Sequence, residues 1–409
     1  VGLNSPDELL STRRVAVCVG TGGVGKTTVA AALGVEAARR GLRTLVLTID
    51  PARRLADALG VGELGNRPVE LADERRAELG ITGEGSLSAL MLDMKSTFDD
   101  LVERFAEDPE TRERILGNRI YQHVSDALAG SAEYAAMEKV YELCEGGDYD
   151  LVVVDTPPSQ HALDFLEAPQ RLLEFLDSRI VQMLLHPAFA AGRFGFRIFQ
   201  RTARRALHLI ERVSGVSFLE DVSEFLLAFE GMSEGFRERA KRVRALLLGP
   251  ETGFLLVAGP SPESAHNASA FLDRLESSGV PLAGVVVNRM RGWPPGRAGS
   301  LPEELAEERD LSEGVRRLAE ALAPRMGERA QDAARAAVEA AKGYASLARL
   351  DHRSTAPLRD RAGRAGCFFR CVPEFPHDVH DLEGLRHIGG FLFDERSEGA
   401  GREGFSAAG

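Results

Sequence analysis

A chain of 409 residues, 44% hydrophobic and 27% charged, has the composition of an ordinary globular protein and is long enough for a large core. Its formal net charge of -12 argues against a general nucleic-acid binder, and four cysteines are too few for a disulfide framework. No uncharged apolar run reaches the roughly 18 residues of a membrane span. The leading VGLNSPDELLSTRR lacks the basic start and apolar core of a signal peptide, so a cytoplasmic location is expected.

In chain order, RRVAVCVG (13–20) reads as a buried strand ending in glycine, TTVAAALGVEAARRG (27–41) as a helix, and LRTLVLTID (42–50) as a second strand. Strand, Gly-rich loop, helix and strand make a βαβ unit. Further strands are expected at 88–94, 150–156, 253–259 and 282–290. Their near-continuous apolar character suits a parallel sheet covered on both faces. The stretch 162–248 shows helical spacing at Leu172, Leu173, Leu176, Ile180, Met183 and Leu184, and predicts an α-helical subdomain. Another helical region follows at 301–350, and residues 396–409 read as a disordered tail. The expected architecture is therefore one α/β domain over 13–395, with a mostly parallel central sheet flanked by helices.

The segment GTGGVGKTT, from Gly20 through Thr21, Gly22, Gly23, Val24, Gly25, Lys26 and Thr27 to Thr28, fits the phosphate-loop pattern between a strand and a helix. Glycines let backbone N–H groups converge on phosphate oxygens at a helix start. Lys26 should reach the β- and γ-phosphates, and the Thr27 hydroxyl should hold Mg²⁺. Asp50 and Asp155 end two other strands, where ligands of parallel sheets sit. The three could meet on one triphosphate, with Asp155 holding Mg²⁺ through water and Asp50 orienting the attacking water.

The glycine pair of GTGGVGKTT, then DPA followed by LAD, DTPPSQH and VVVNR, resembles the ArsA-like deviant P-loop ATPases of the arsenite-transporter and tail-anchored-protein targeting type. The match in order runs from about Arg13 to Gly390. MinD, ParA and the nitrogenase iron protein are more distant cousins, without the long helical insert after DTPPSQH. The resemblance implies a switch I role for Asp50 and a Walker B role for Asp155. It implies adenine reading by Asn288, a base-covering loop in CVPEFPHDVHDLEGL with Pro373 and Phe375, and ATP with Mg²⁺ as the nucleotide. It also implies a dimer that closes over nucleotide and reshapes a client surface on the helical subdomain.

Three features depart from that family. Thr21 stands where its members usually carry a lysine that reaches the partner's phosphates, so either the chain is slow, or it pairs with a lysine-bearing relative, or another cation substitutes. Arg53 and Arg54 after DPA read first as solvated arginines at the start of a helix, with one of them as the alternative candidate for that cation. Neither the paired zinc cysteines nor the metalloid cysteines occur. Cys367, Cys371, His377 and His380 form a short string read as structural, no zinc is predicted, and arsenite transport is disfavoured. Finally, 192–215 carries an arginine stripe (Arg193, Arg197, Arg201, Arg204, Arg205) with interleaved phenylalanines, suited to a partner, a membrane surface or plain packing. The expected function is a Mg²⁺-dependent ATPase working as a dimer switch on an unknown client. The alternatives are a weakly catalytic regulatory subunit in a heterodimer, or a membrane-surface ATPase of MinD type.

Overall fold

A computed structural model describes residues 2–50, 53–106, 108–118, 131–157, 233–292, 312–375, 377–379 and 381–394, together with Tyr121 and Glu174. In the first half, α1 (Pro6–Thr12), β1 (Val15–Val19), α2 (Lys26–Arg39), β2 (Arg43–Thr48) and α3 (Arg54–Leu59) precede β3 (Val69–Glu70), α4 (Asp73–Leu79) and β4 (Ser86–Met91). Next come α5 (Met94–Phe105), α6 (Pro109–Gly117), α7 (Ser131–Gly146) and β5 (Leu151–Asp155). Beyond the helical stretch lie α8 (Ser233–Leu248), β6 (Thr252–Ala258), α9 (Pro262–Ser277) and β7 (Leu282–Met290). The chain continues through α10 (Ser312–Met326), α11 (Ala330–Arg364), β8 (Phe368–Pro373) and α12 (Leu382–Phe393).

The strands form one sheet in the order β3-β4-β2-β5-β1-β6-β7-β8, parallel except for the β3–β4 pair. Both faces are covered, and the pleat sends alternate side chains to each. Along β1, Ala16 and Cys18 enter the core shared with α2 and α12, while Val15, Val17 and Val19 enter the core shared with α7, α8, α9 and α11. Helix α2 is rich in alanine because it runs tight against the sheet. A Cβ on Gly34 would lie 2.4 Å from Val46 Cγ2.

A separate apolar cluster joins Leu101, Val102, Ile115, Tyr121 and Tyr134 to Phe236 and Ala240. So α5, α6, α7 and the first half of α8 pack on one another away from the sheet. Of the segment read as a helical subdomain, 162–248, the described part is Glu174 and α8, and Val243 and Leu247 of α8 reach the main core. The arginine stripe at 192–215 and the tail at 396–409 lie outside the described residues.

Strand β8 was not legible as a strand. CFFRCVP carries arginine and two cysteines, and pairing with β7 (Val286 with Arg370, Val287 with Cys371) is what organises it. Arg370 is buried there because its guanidinium donates to the carbonyls of Leu392 and Phe369. Helix α11 likewise runs past residue 350, where the helical region was expected to end, to Arg364. Its Asp351 is buried and accepts from the Arg291 guanidinium at 3.1 Å.

Candidate active site

Strand register brings the predicted residues to one end of the sheet. Cys18 of β1 and Thr48 of β2 both stand beside Asp155 of β5, so the ends of three neighbouring strands coincide. The loop 20–25 leaves β1 there and turns into α2 through positive φ at Gly20, Gly23 and Gly25. Two of these glycines are also demanded by space. A Cβ on Gly20 would meet the Val257 carbonyl at 2.1 Å, and one on Gly25 would meet Asn288 Nδ2 at 2.2 Å.

Lys26 begins α2, is 6% exposed, and donates to the carbonyl oxygens of Gly20 and Thr21, each at 3.0 Å. Burial lowers its pKa, partly offset by the Asp155 charge. Asp155 is fully buried. Its Oδ2 accepts from the Thr48 hydroxyl at 3.0 Å, while Oδ1 has no hydrogen-bond partner. Burial pushes the Asp155 pKa up to about 6; the Thr27 hydroxyl lies close enough to hold it down somewhat without completing a hydrogen bond to Oδ1. The Asp50 amide donates to Thr48 Oγ1 at 3.2 Å, and Thr156 Oγ1 donates to the Cys18 carbonyl at 2.7 Å.

Above these groups lies a cleft of about 730 Å³. Gly22, Gly23, Gly25, Lys26, Thr27, Thr28 and Asp50 line it together with Asn288, Arg289, Phe375, Asp378 and Val379. Asn288 is buried. Its Nδ2 donates to the Val24 carbonyl at 2.9 Å, which clamps the loop to the end of β7. Its Oδ1 accepts from the Arg289 amide at 3.0 Å, and Arg289 holds a left-handed φ of 62° at the irregularity that ends the β7–β8 pairing. Pro373 is not in the lining. It ends β8 opposite Met290, and the loop beyond it carries Phe375 into the cleft, where Phe391 packs on the ring. Thr21 and Val24 face a neighbouring groove beside Ser261 and Ser264.

Sequence reasoning passed over Thr48, Thr156, Arg289 and Asp378. Thr48 sits two residues before Asp50 in a strand end, but its bond to Asp155 exists only through the β2–β5 register. The two arginines of the DPARR segment part company. Arg53 pairs with Glu63 at 2.9 Å outside the cleft, and Arg54 lines the cleft. Cys371 packs with Val287 and Met290, and Cys367 lies against the Leu282 carbonyl; both are buried free thiols. His380 lies outside the described residues. No helix among the described residues is long and apolar enough to cross a membrane.

A family model for anion-transporting ATPases matches residues 13–292. The chain belongs to the anion-transporting ATPase family. An uncharacterized protein of Streptomyces coelicolor is 29% identical over 279 residues, 68% of this chain and 62% of that protein. The ATPase GET3 of Malassezia globosa is 31% identical over 155 residues, 38% of this chain and 42% of its own length. The ATPase get3 of Schizosaccharomyces japonicus is 25% identical over 272 residues, covering 66% and 72%. The chain thus spans less than two thirds of the length of the first two of these relatives. The family match covers every strand from β1 to β7, including the loop at 20–28, Asp50, Asp155 and Asn288. It stops before α10, α11, β8 and α12.

Proposed function

We propose that the chain binds ATP with Mg²⁺ in the cleft above Asp155 and hydrolyses it. One observation carries this: a buried carboxylate oxygen without a partner, Asp155 Oδ1, lies at the end of β5 beside the lysine and threonine that open α2. A solvated divalent cation with triphosphate oxygens fits that donor set of one carboxylate and one hydroxyl. Thr27 would hold the ion directly and Asp155 through water. Bound there, Mg²⁺ would neutralise charge on the β- and γ-phosphates.

The loop amides at 22–28 would cradle the phosphates, with α2 offering its N-terminus to negative charge. Lys26 would exchange its two loop carbonyls for phosphate oxygens, recovering a full ionic partner for a buried ammonium. Asp50 would orient the attacking water. Water adds to the γ-phosphorus as the bridging P–O bond breaks. The electron pair leaves with ADP, and the water's proton ends on the released phosphate. Asn288 and Phe375 are assigned to the base.

The work done is assigned to a dimer that opens and closes with nucleotide and acts on a client held by the helical subdomain. The relatives named ATPase support the hydrolysis. A second reading is a regulatory subunit that binds ATP and hardly turns it over, favoured by the uncharged Thr21 in the loop. Hydrolysis measured over a wide range of chain concentration, with Lys26→Ala as control, separates the two. Turnover per chain that rises with concentration and vanishes in the control supports the homodimeric enzyme. ATP binding with turnover no higher than the control overturns it in favour of the regulatory subunit.

A further inference from the structure

A triphosphate brings several negative charges into the cleft, and loss of the γ-phosphate concentrates charge on the oxygens around the breaking bond. Among the described residues, the lysine and arginine side chains that line the cleft are Lys26, Arg54 and Arg289. Arg289 already pairs with Asp378 at 3.6 Å. Thr21 contributes no charge, and its side of the loop faces the neighbouring groove.

Arg54 differs from both of the other cations. It is exposed, it opens α3 four residues after Asp50, and it has no ion-pair partner among the described residues. Its neighbour Arg53 is turned away to Glu63, so the two guanidiniums are sorted, one to a carboxylate and one to the cleft. Two cations lining one cleft, one of them without an ion-pair partner among the described residues, are an arrangement that an anionic ligand relieves.

We propose, resting on the nucleotide reading above, that Arg54 is a catalytic residue that contacts the terminal phosphate of ATP from within the same chain. Its planar fork suits two phosphate oxygens at once. It supplies the charge stabilisation that Thr21 cannot, as the bridging electron pair passes to ADP.

The experiment compares wild type, Arg54→Ala, Arg54→Lys, Arg53→Ala and Lys26→Ala in single-turnover hydrolysis and in equilibrium binding of ATP and ADP. Loss of one such donor should slow the chemical step of Arg54→Ala by about 10²-fold or more. The preference for ATP over ADP should fall while ADP affinity is kept, which also shows that the variant is folded. Arg54→Lys should recover part of the rate, and Arg53→Ala should match wild type. If Arg54→Ala keeps both the wild-type rate and the wild-type ATP preference while Lys26→Ala loses them, the role of Arg54 is overturned and the nucleotide reading stands. If wild type itself binds no ATP, both fall together.

Discussion

The Thr48 hydroxyl donates to Asp155 Oδ2 at 3.0 Å and in the same position accepts from the Asp50 amide at 3.2 Å. One buried oxygen therefore couples the two carboxylates assigned to water and metal. A change in the position of Asp155 is passed to the backbone of Asp50 through that hydroxyl.

Thr48→Val keeps the shape and removes both bonds. It leaves the Asp50 amide and a buried carboxylate oxygen without partners, a loss of about 1–3 kcal/mol. Urea melts should show that loss. Hydrolysis should fall more than ATP affinity, because Asp50 loses its positioning while the phosphate cradle is untouched.

Asp155 makes the pH dependence predictable in sign. Its folded pKa, about 6, lies above the ordinary carboxylate value of 3.8, so between those limits the folded chain holds the proton more tightly than the unfolded one. The group's contribution therefore falls as pH rises through that window, and a buried carboxylate is left above it. In nucleotide-free protein, stability of wild type relative to Asp155→Asn should be lower at pH 7 than at pH 5. Mg²⁺ titrations in the presence of ATP should weaken below about pH 6, as the carboxyl takes up its proton.

Gly25→Ala places a side chain at φ +88°, with its Cβ 2.2 Å from Asn288 Nδ2. The backbone strain alone is worth about 1–3 kcal/mol. In a double-mutant cycle, Asn288→Ala should recover the part due to the clash and leave the part due to φ. Additive melts would show that the two sites are not in contact.

All four cysteines are buried free thiols, and burial raises the pKa of each. A thiol-reactive chromophore should modify the native chain slowly and all four sites once it is unfolded. Rapid native labelling of Cys18 would mean that the core between β1 and α2 opens to solvent.

The phosphate loop, the strands that carry Asp50 and Asp155, and the βαβ start were readable from the chain alone. Each is a local signal: a glycine pattern with Lys-Thr at a helix start, or an apolar run ending in a carboxylate. Family membership follows from the same local motifs taken in order. What lies between distant segments was decided only by the folded chain. The register of β2 against β5 turns Thr48 into a bridge. The meeting of β7 with the loop makes Asn288 a clamp on the Val24 carbonyl. The pairing of β7 with β8 makes a strand of Phe368–Pro373 and leaves Phe375, not Pro373, at the cleft. Arg53 and Arg54 are chemically identical and adjacent in sequence. Arg53 caps α3 from outside the helix and reaches Glu63, whereas Arg54 is its first helical residue and lines the cleft, so the entry of the chain into α3 sorts them.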